Sequence, residues 1–304
     1  MLLHDVVATS TQVGETRSRL AKRDAIASLL RGARPADAGL AVAYLSGRPR
    51  QRRTGVGWAT LATLPTPVGE PTLTLAQVDA ALDDLTGYAG AGSAGLRSAR
   101  VEALFGAATA PEQRFLSALI SGELLQGAKE STVVEGLAAA HGVPLAALRR
   151  AVMFAGGPAP VADALARRDA AALAEFTLSV GTPVQPMLAS SAPSVPEALA
   201  KLPGEALLDT KLDGIRLQAH KDGEAVRLFT RSLDDITERL PEVAALVRAL
   251  PVGRVVLDGE VLALAADGRA RPFQEIAAAT AAAATPHRRP AISRRTMRTP
   301  RVPG

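Results

Sequence analysis

The chain has no cysteine among its 304 residues, which removes disulfides, thiol catalysis and cysteine-ligated zinc together. Aromatic residues are almost as scarce, at one Trp, two Tyr and six Phe. A core with so few large rings must be built from Ala, Leu and Val, which favours helices packed closely through small residues. No uninterrupted apolar stretch approaches the roughly 18 residues of a membrane-spanning helix. Met1-Leu2-Leu3-His4-Asp5 carries an early acid in place of the basic region that opens a signal peptide. These absences predict a cytoplasmic protein with no membrane association. Lysine is the last shortage. Of 35 basic residues only Lys22, Lys129, Lys201, Lys211 and Lys221 are lysines, so a chemically essential lysine has few candidates.

What is present is a basic, globular composition. The apolar share is 47%, the charged share 21%, and the net charge is +5. A basic surplus favours polyanionic partners, although an Arg-rich solvated surface gives the same number. The length allows about two domains of ordinary size, and a monomer is the expectation.

From residue 1 to about 178 the pattern is helical. Leu20, Ile26, Leu29 and Leu30 form a helical stripe, and Thr74 followed by Gln77 is a capping-box start leading into Val78, Leu82 and Leu85. Further helices are predicted over Ser98–Ala108, Pro111–Ile120, Ser131–His141, Pro144–Phe154 and Pro160–Phe176. Pro111, Pro144 and Pro160 suit first-turn positions, and Gly142 suits a helix end. The Pro- and Ser-dense runs Gly181–Pro186 and Ser190–Pro196 mark a boundary. Beyond it the period changes. Ala206-Leu207-Leu208 is a short apolar run read as a buried strand. Ile215–Ala219 alternates, Asp222-Gly223 marks a turn, and Val226–Phe229 answers as a hairpin partner. Glu242–Leu250 reads as a helix, Arg254–Leu264 as a strand, and Asp267-Gly268 as another turn. After Glu275 the chain becomes alanine-rich, with six Arg and no acid from Ile276 onward. That stretch reads either as a disordered basic tail or as a frameshifted end. The domains predicted are therefore 1–180, helical; 181–204, an entry segment; 205–275, mixed α/β (α+β); and 276–304, a tail.

The segment with the most chemistry is Asp209-Thr210-Lys211-Leu212-Asp213-Gly214-Ile215-Arg216. A lysine is a nucleophile only when neutral, and its ordinary pKa is near 10.4. Partial desolvation beside a cation or metal frees the amine to attack. Gly214 permits a tight turn or close ligand approach, and Arg216 supplies a forked donor for phosphate or ribose oxygens. A surface turn in which Lys211 pairs with Asp209 or Asp213 accounts for the same residues equally well.

Lys-x-Asp-Gly-x-Arg, as it stands at 211–216, resembles the nucleotidyl-transfer motif of ATP-dependent DNA ligases, RNA ligases and mRNA capping enzymes. Downstream, Phe229–Thr237 is similar to the ligase segment whose arginine, here Arg231, faces the nucleotide and nick phosphate. Val256–Glu260 is similar to the strand whose glutamate, here Glu260, contacts ribose and a divalent metal. Taken singly, Arg231 also reads as a solvated hairpin residue and Asp258-Gly259-Glu260 as a plain strand turn. At the front, Met1-Leu2-Leu3, Thr16–Leu20, Ala43–Gly47, Gly55–Leu61 and Ser121–Ala128 resemble the helical DNA-binding domain of bacterial ATP-dependent DNA ligases. This resemblance, over about 1–275, implies a multidomain protein with an all-α DNA-binding domain and a partial nucleotidyltransferase (adenylation) domain. It implies Lys211 as the residue that takes AMP from ATP, with Asp209, Arg216, Arg231 and Glu260 binding ATP. It further implies Glu260 at Mg2+, and nicked double-stranded DNA as partner. Arg48, Arg50, Arg52 and Arg53 form a cluster suited to sequence-independent phosphate contacts, or simply a solvated loop.

The chain also departs from the family pattern. Asp209 stands where the family usually has Glu, and Leu125 where it commonly has Arg. The family's adenine-stacking aromatic, second metal-binding glutamate, paired lysines and OB-fold domain find no place in residues 276–304. These departures imply a truncated or frameshifted chain with weak activity or none. A non-catalytic DNA-binding fragment and an RNA ligase or capping-type enzyme are the alternatives, and the lack of zinc-ligand cysteines argues against an NAD-dependent ligase.

Overall fold

The computed structural model of the chain describes residues 1–51, 54–124, 129–187, 189–202, 204–207, 211–212, 214–265, 269 and 271. The chain divides after Thr177 into two compact units, Met1–Thr177 and Leu178–Gly304.

The first unit is helical throughout its described residues. Its helices are α1 (Leu3–Glu15), α2 (Arg19–Arg31), α3 (Ala38–Leu45), α4 (Trp58–Leu61), α5 (Leu75–Gly87), α6 (Ser93–Gly106), α7 (Ala110–Ser121), α8 (Glu130–His141), α9 (Leu145–Phe154) and α10 (Pro158–Arg167). Their ends follow the sequence signals. Thr74 N–H donates to Gln77 Oε1 at 2.9 Å and Gln77 N–H to Thr74 Oγ1 at 3.2 Å, the reciprocal pair that opens α5. Thr109 and Glu112 open α7 in the same way. Pro111 and Pro160 fall in first turns, and Gly142 closes α8 at φ +63°. Pro144 sits one step outside its helix, as the N-cap of α9. The single helix expected over Pro160–Phe176 is broken, because Asp169 accepts from Ala171 N–H at 2.8 Å and starts a separate 3-10 turn over Ala170–Glu175.

The core of this unit is aliphatic, with Tyr44 and Phe105 the only rings among its largest fully buried side chains. Two close helix contacts run through glycines. A Cβ on Gly39 would lie 2.5 Å from the Asp163 carboxylate, to which Gly39 N–H donates at 3.0 Å, joining α3 to α10. A Cβ on Gly136 would lie 2.5 Å from Ile26 Cγ2, so α2 and α8 meet over a missing side chain. At the N-terminus the Met1 ammonium pairs with Asp37 at 2.8 Å, the side chains only 6% and 3% exposed. Burial alone would raise the Asp37 pKa, but bonds from the ammonium and Arg34 outweigh it and hold the carboxyl below its ordinary range.

The second unit carries α11 (Val195–Ala200), β1 (Ile215–Asp222), β2 (Ala225–Thr230), α12 (Pro241–Arg248) and β3 (Arg254–Val261). The strands form an antiparallel sheet in the order β2-β1-β3. The predicted hairpin is present, with Asp222 paired to Ala225 and Gly223 at φ +58°, a value that a two-residue hairpin turn draws from glycine. One face of the sheet packs Leu217, Ala219, Val226 and Leu228 against Ile236, Leu240, Ala244 and Val247. Lys221, on this face and 5% exposed, donates to the carbonyls of Arg248 and Leu250 at 2.7 and 2.6 Å, capping the end of α12.

Two expectations are corrected here. Leu207 is 96% exposed and no strand forms over 204–207, so the buried strand expected at Ala206–Leu208 is absent from the described residues. Among the described residues the sheet consists of β1 to β3, and neither Ala206 nor Leu207 pairs with it. The strand expected to reach Leu264 ends at Val261. Within the linker or entry segment expected over 181–204, α11 stands behind a Ser194 cap, and Gly181 and Val184 bond to β1. Around the expected Asp267-Gly268 turn, itself outside the described residues, Ala265 N–H reaches Arg269 O and Arg271 N–H reaches Ala263 O, each at 2.8 Å. Residues 276–304 lie outside the described ones. No helix among the described residues is long and apolar enough to cross a membrane.

Candidate functional site

Strand alternation sets the two faces of the sheet apart. Residues directly opposite in an antiparallel pair share a face, and β1 pairs with β3 as Arg216↔Glu260, Gln218↔Asp258 and His220↔Val256. With β2 the pairs are Gln218↔Phe229 and His220↔Arg227. Arg216, Gln218 and His220 therefore stand in a row on the face opposite the core, with Glu260 and Asp258 on one flank and Phe229 and Arg227 on the other.

Three of the residues singled out from the sequence meet at one end of this row. Gly214 leads into β1, and its N–H donates to Glu260 Oε1 at 3.1 Å. Its lack of a side chain is a packing requirement. A Cβ there would press on the Val261 carbonyl and come within 2.6 Å of Leu262 Cδ2 and 2.8 Å of Glu260 Cγ. Arg216 lies beside Glu260 but is held by Asp258 through a forked pair, Nε to Oδ1 at 3.1 Å and Nη2 to Oδ2 at 2.6 Å. That bond, and the charges of Asp258 and Glu260, raise the guanidinium pKa further. Two of its five N–H donors are used there, leaving the others for an anion. Asp258 was quoted from the sequence only as part of a motif. Its hold on Arg216 depends on the β1–β3 register, which alternation within one strand cannot reveal.

Lys211 precedes this corner and is exposed, where partial desolvation was expected. The buried lysine of this unit is Lys221, whose amine is committed to the end of α12. Arg231 is exposed in the loop after β2 and has no acidic partner among the described residues. That loop is tightly made. Leu233 takes φ +69°, and Leu233 N–H bonds Thr230 O at 2.9 Å while Thr230 N–H bonds Asp234 O at 3.0 Å. A non-glycine residue in the left-handed region persists only where its surroundings fix it, and here the 9% exposed Leu233 side chain is the anchor. Asp209 falls outside the described residues.

The arginine cluster of the first unit is dispersed by ion pairing. Arg48 pairs with Glu130 at 3.2 Å. Arg50 is clasped by Asp79 at 2.5 Å and Asp83 at 2.6 Å, bonds that raise its pKa. Arg52 and Arg53 lie outside the described residues.

No group of three or more metal-ligating side chains occurs among the described residues. Magnesium needs less, since it keeps several waters and takes one or two carboxylates plus phosphate oxygens. The exposed Glu260, opposite Arg216, fits that requirement.

A helical unit ahead of a sheet whose first strand begins within Lys-x-Asp-Gly-x-Arg fits the class that the motif resembles, the multidomain nucleotidyltransferases. Comparison with known proteins narrows it. Residues 186–297 match the family model for the ATP dependent DNA ligase domain, and residues 61–138 match that for the DNA ligase N terminus. The first match runs into the stretch whose composition predicts a basic tail. A curated protein of Beutenbergia cavernae named "Probable DNA ligase" is 54% identical over 289 residues, covering 92% of this chain and 56% of the relative. Proteins of the same name from Nocardioides sp. and Kineococcus radiotolerans are 54% and 52% identical, covering 92% and 93% of this chain. The chain belongs to the ATP-dependent DNA ligase family, of which it carries the N-terminal and middle domains. It spans about half the length of the curated relatives it matches.

Proposed function

We propose that the second unit takes AMP from ATP onto Lys211 and that the protein uses this adenylate to seal nicks in double-stranded DNA. The observation that supports it best is the corner where Gly214, Arg216 and Glu260 meet, three residues along the chain from Lys211 and within the segment that matches the ligase domain. Lys211 Nζ, having lost a proton to solvent, attacks the α-phosphorus of ATP. The bond from that phosphorus to the bridging oxygen breaks, pyrophosphate leaves, and a phosphoramidate to AMP remains on the lysine. AMP then passes to the 5′-phosphate of the nick, and the 3′-hydroxyl displaces it. Arg216 and Arg231 stabilise the charge on the transferring phosphate, Arg216 with the donors that Asp258 leaves open. Asp209 is assigned to the adenine side and Glu260 to ribose. Glu260, together with phosphate oxygens, would hold Mg2+, which supplies charge neutralisation and orients the leaving group.

The helical unit is assigned to duplex DNA, gripped through phosphates without reading sequence, with affinity falling steeply as salt rises. Arg48, with one acidic partner, and Arg52 and Arg53 are the assigned contacts. Arg50, held by two carboxylates, is given no part. A monomer working in the bacterial cytoplasm, where ATP and the chromosome are found, completes the proposal.

Incubation with α-labelled ATP and Mg2+ tests the central step. The wild-type chain is expected to retain label, weakly, through denaturing electrophoresis, and Lys211→Ala to retain none while melting close to the wild-type temperature, because Lys211 is exposed. Label that persists in Lys211→Ala would remove the assignment. Absence of label from the wild type, with salt-sensitive duplex binding intact, would support a DNA-binding role alone.

A further inference from the structure

The polar face of the sheet does more than carry Arg216. Segment 181–184 has no strand partner, yet both backbone groups of two of its residues are met by side chains from that face. Gln218 Oε1 accepts from Val184 N–H at 2.9 Å, and Gln218 Nε2–H donates to Val184 O at 2.5 Å. His220 Nδ1 accepts from Gly181 N–H at 2.9 Å, and Arg227 Nη1–H donates to Gly181 O at 3.2 Å. Three side chains thus do what a neighbouring strand would do, satisfying main-chain groups that are costly to leave unpaired.

The clasp is built rather than incidental. Gln218 and His220 are only 6% and 1% exposed, although glutamine and histidine are seldom so deep without a partner to fix them. The His220 ring stands edge-on to Phe229 with centroids 5.1 Å apart, and the Arg227 guanidinium lies over the Phe229 ring, 4.9 Å from its centroid. Because Nδ1 accepts a bond, the imidazole is neutral with its proton on Nε2. Burial, with Arg227 nearby, pushes its pKa below the ordinary value and favours that form.

Position gives the clasp its meaning. Gln218 and His220 follow Arg216 on the same face of β1, at successive outward steps. We infer that Gln218, His220 and Arg227 are positioning residues, clamping segment 181–184 over the polar face so that the chain through Gln185 to Met187 forms a fixed wall of the nucleotide site. The inference rests on the adenylation proposal above. None of the three touches the reacting atoms. Their effect is on how well the site is shaped for ATP before the phosphate is attacked.

The test uses the full chain, α-labelled ATP with Mg2+, and the variants Gln218→Ala, His220→Ala and His220→Asn. Asparagine keeps an acceptor at the δ position and alanine does not. Gln218→Ala and His220→Ala are expected to raise the ATP concentration for half-maximal lysine labelling by about tenfold, with the limiting rate little changed, and His220→Asn to restore most of the loss. Amide hydrogen exchange on the wild type gives a second measurement that does not depend on the variants folding. Gly181 and Val184 N–H are expected to be protected, and Gly181 to lose protection in His220→Ala but not in His220→Asn. Wild-type exchange at open-chain rates for both amides overturns the clasp. Protected amides with unchanged half-saturation in folded Gln218→Ala and His220→Ala overturn the positioning role while leaving adenylation standing. A wild-type chain that takes no label at all overturns the adenylation proposal itself, a distinct result.

Discussion

The two units handle charge in opposite ways. In the helical unit two carboxylates that matter to the fold, Asp37 and Glu135, are buried and met by cations. The Met1 ammonium meets Asp37 with the two side chains 6% and 3% exposed, and Glu135, 9% exposed, is shared by Arg19 and Arg149, which reach it from the surface. In the sheet unit the charges of the candidate site lie exposed, while the one buried lysine, Lys221, is met by carbonyls and, among the described residues, by no acid. Arg216 and Asp258 pair with their side chains 35% and 52% exposed, and Glu260 and Arg231 are exposed. A buried pair holds a structure because neither partner can turn to water instead. An exposed pair is weakly held and can be exchanged for an incoming phosphate at small cost. The first arrangement suits a scaffold and the second suits a site that must let go of its own contacts to take a ligand.

That contrast can be broken most severely at Asp37. Replacing it with alanine leaves a buried ammonium without a partner, and the helical unit is expected to lose about 3–5 kcal/mol. Trp58, Tyr44 and Tyr88 all lie in this unit, so urea unfolding followed by their fluorescence reads it without interference from the sheet. A loss under about 1 kcal/mol would show that the pair is weaker than its burial implies. Next in size are two glycines that sharpen the comparison. Gly214→Ala and Gly136→Ala each place a Cβ too close to a neighbour and are each expected to cost about 1–3 kcal/mol. Only Gly214→Ala should also depress lysine labelling, since it disturbs the N–H held by Glu260. Equal labelling in the two variants would sever Gly214 from the site.

A smaller effect is expected from pH. His220 has a lowered pKa in the fold, so on acidification the unfolded chain takes the proton first. The contribution of neutral His220 is complete above about pH 6.5, the unfolded value, and is lost as pH falls through the lower folded value. Protection factors of the amides in β1 and β2, with the intrinsic pH dependence of exchange divided out, should therefore fall below about pH 6.5 in the wild type and change less in His220→Asn. An identical pH profile in the two proteins would exclude His220 as the titrating group. The smallest effect is expected at Arg50. With its guanidinium held by Asp79 and Asp83 and the side chain 55% exposed, Arg50→Ala should alter stability by no more than about 1 kcal/mol. Its duplex-DNA affinity should stay within about threefold of wild type, where loss of a true phosphate contact would also lower the salt slope by about one. A lowered slope would return Arg50 to the DNA-binding surface.

How much of this was legible beforehand follows the range of the interactions. The β1–β2 hairpin was readable because its signals, alternation around Asp222-Gly223, lie within a few residues of one another. The caps at Thr74 and Gly142 are local in the same sense. Lys211, Arg216 and Glu260 were singled out through a motif resemblance, which gives residue types and order but no geometry. What could not be read depends on register or on distant packing. The bond from Asp258 to Arg216 spans 42 residues, that from Gly39 to Asp163 spans 124, and the clasp from Gly181 to His220 spans 39. The apolar run at Ala206–Leu208 misled because hydrophobicity alone supplies no pairing partner. The arginines at 48 and 50 looked like a free cluster because the acids that claim them lie on α5 and α8.

Strand β1 has one further implication, for how this part of the molecule can change over generations. Its odd positions serve the interior and its even positions serve the face that carries Arg216, Gln218 and His220, with no residue to spare between them. Losing or gaining a single residue within it would turn arginine, glutamine and histidine inward and aliphatic groups outward at one stroke. Variation in length should consequently collect in the loops that flank the strand, and the strand itself should be inherited whole or not at all.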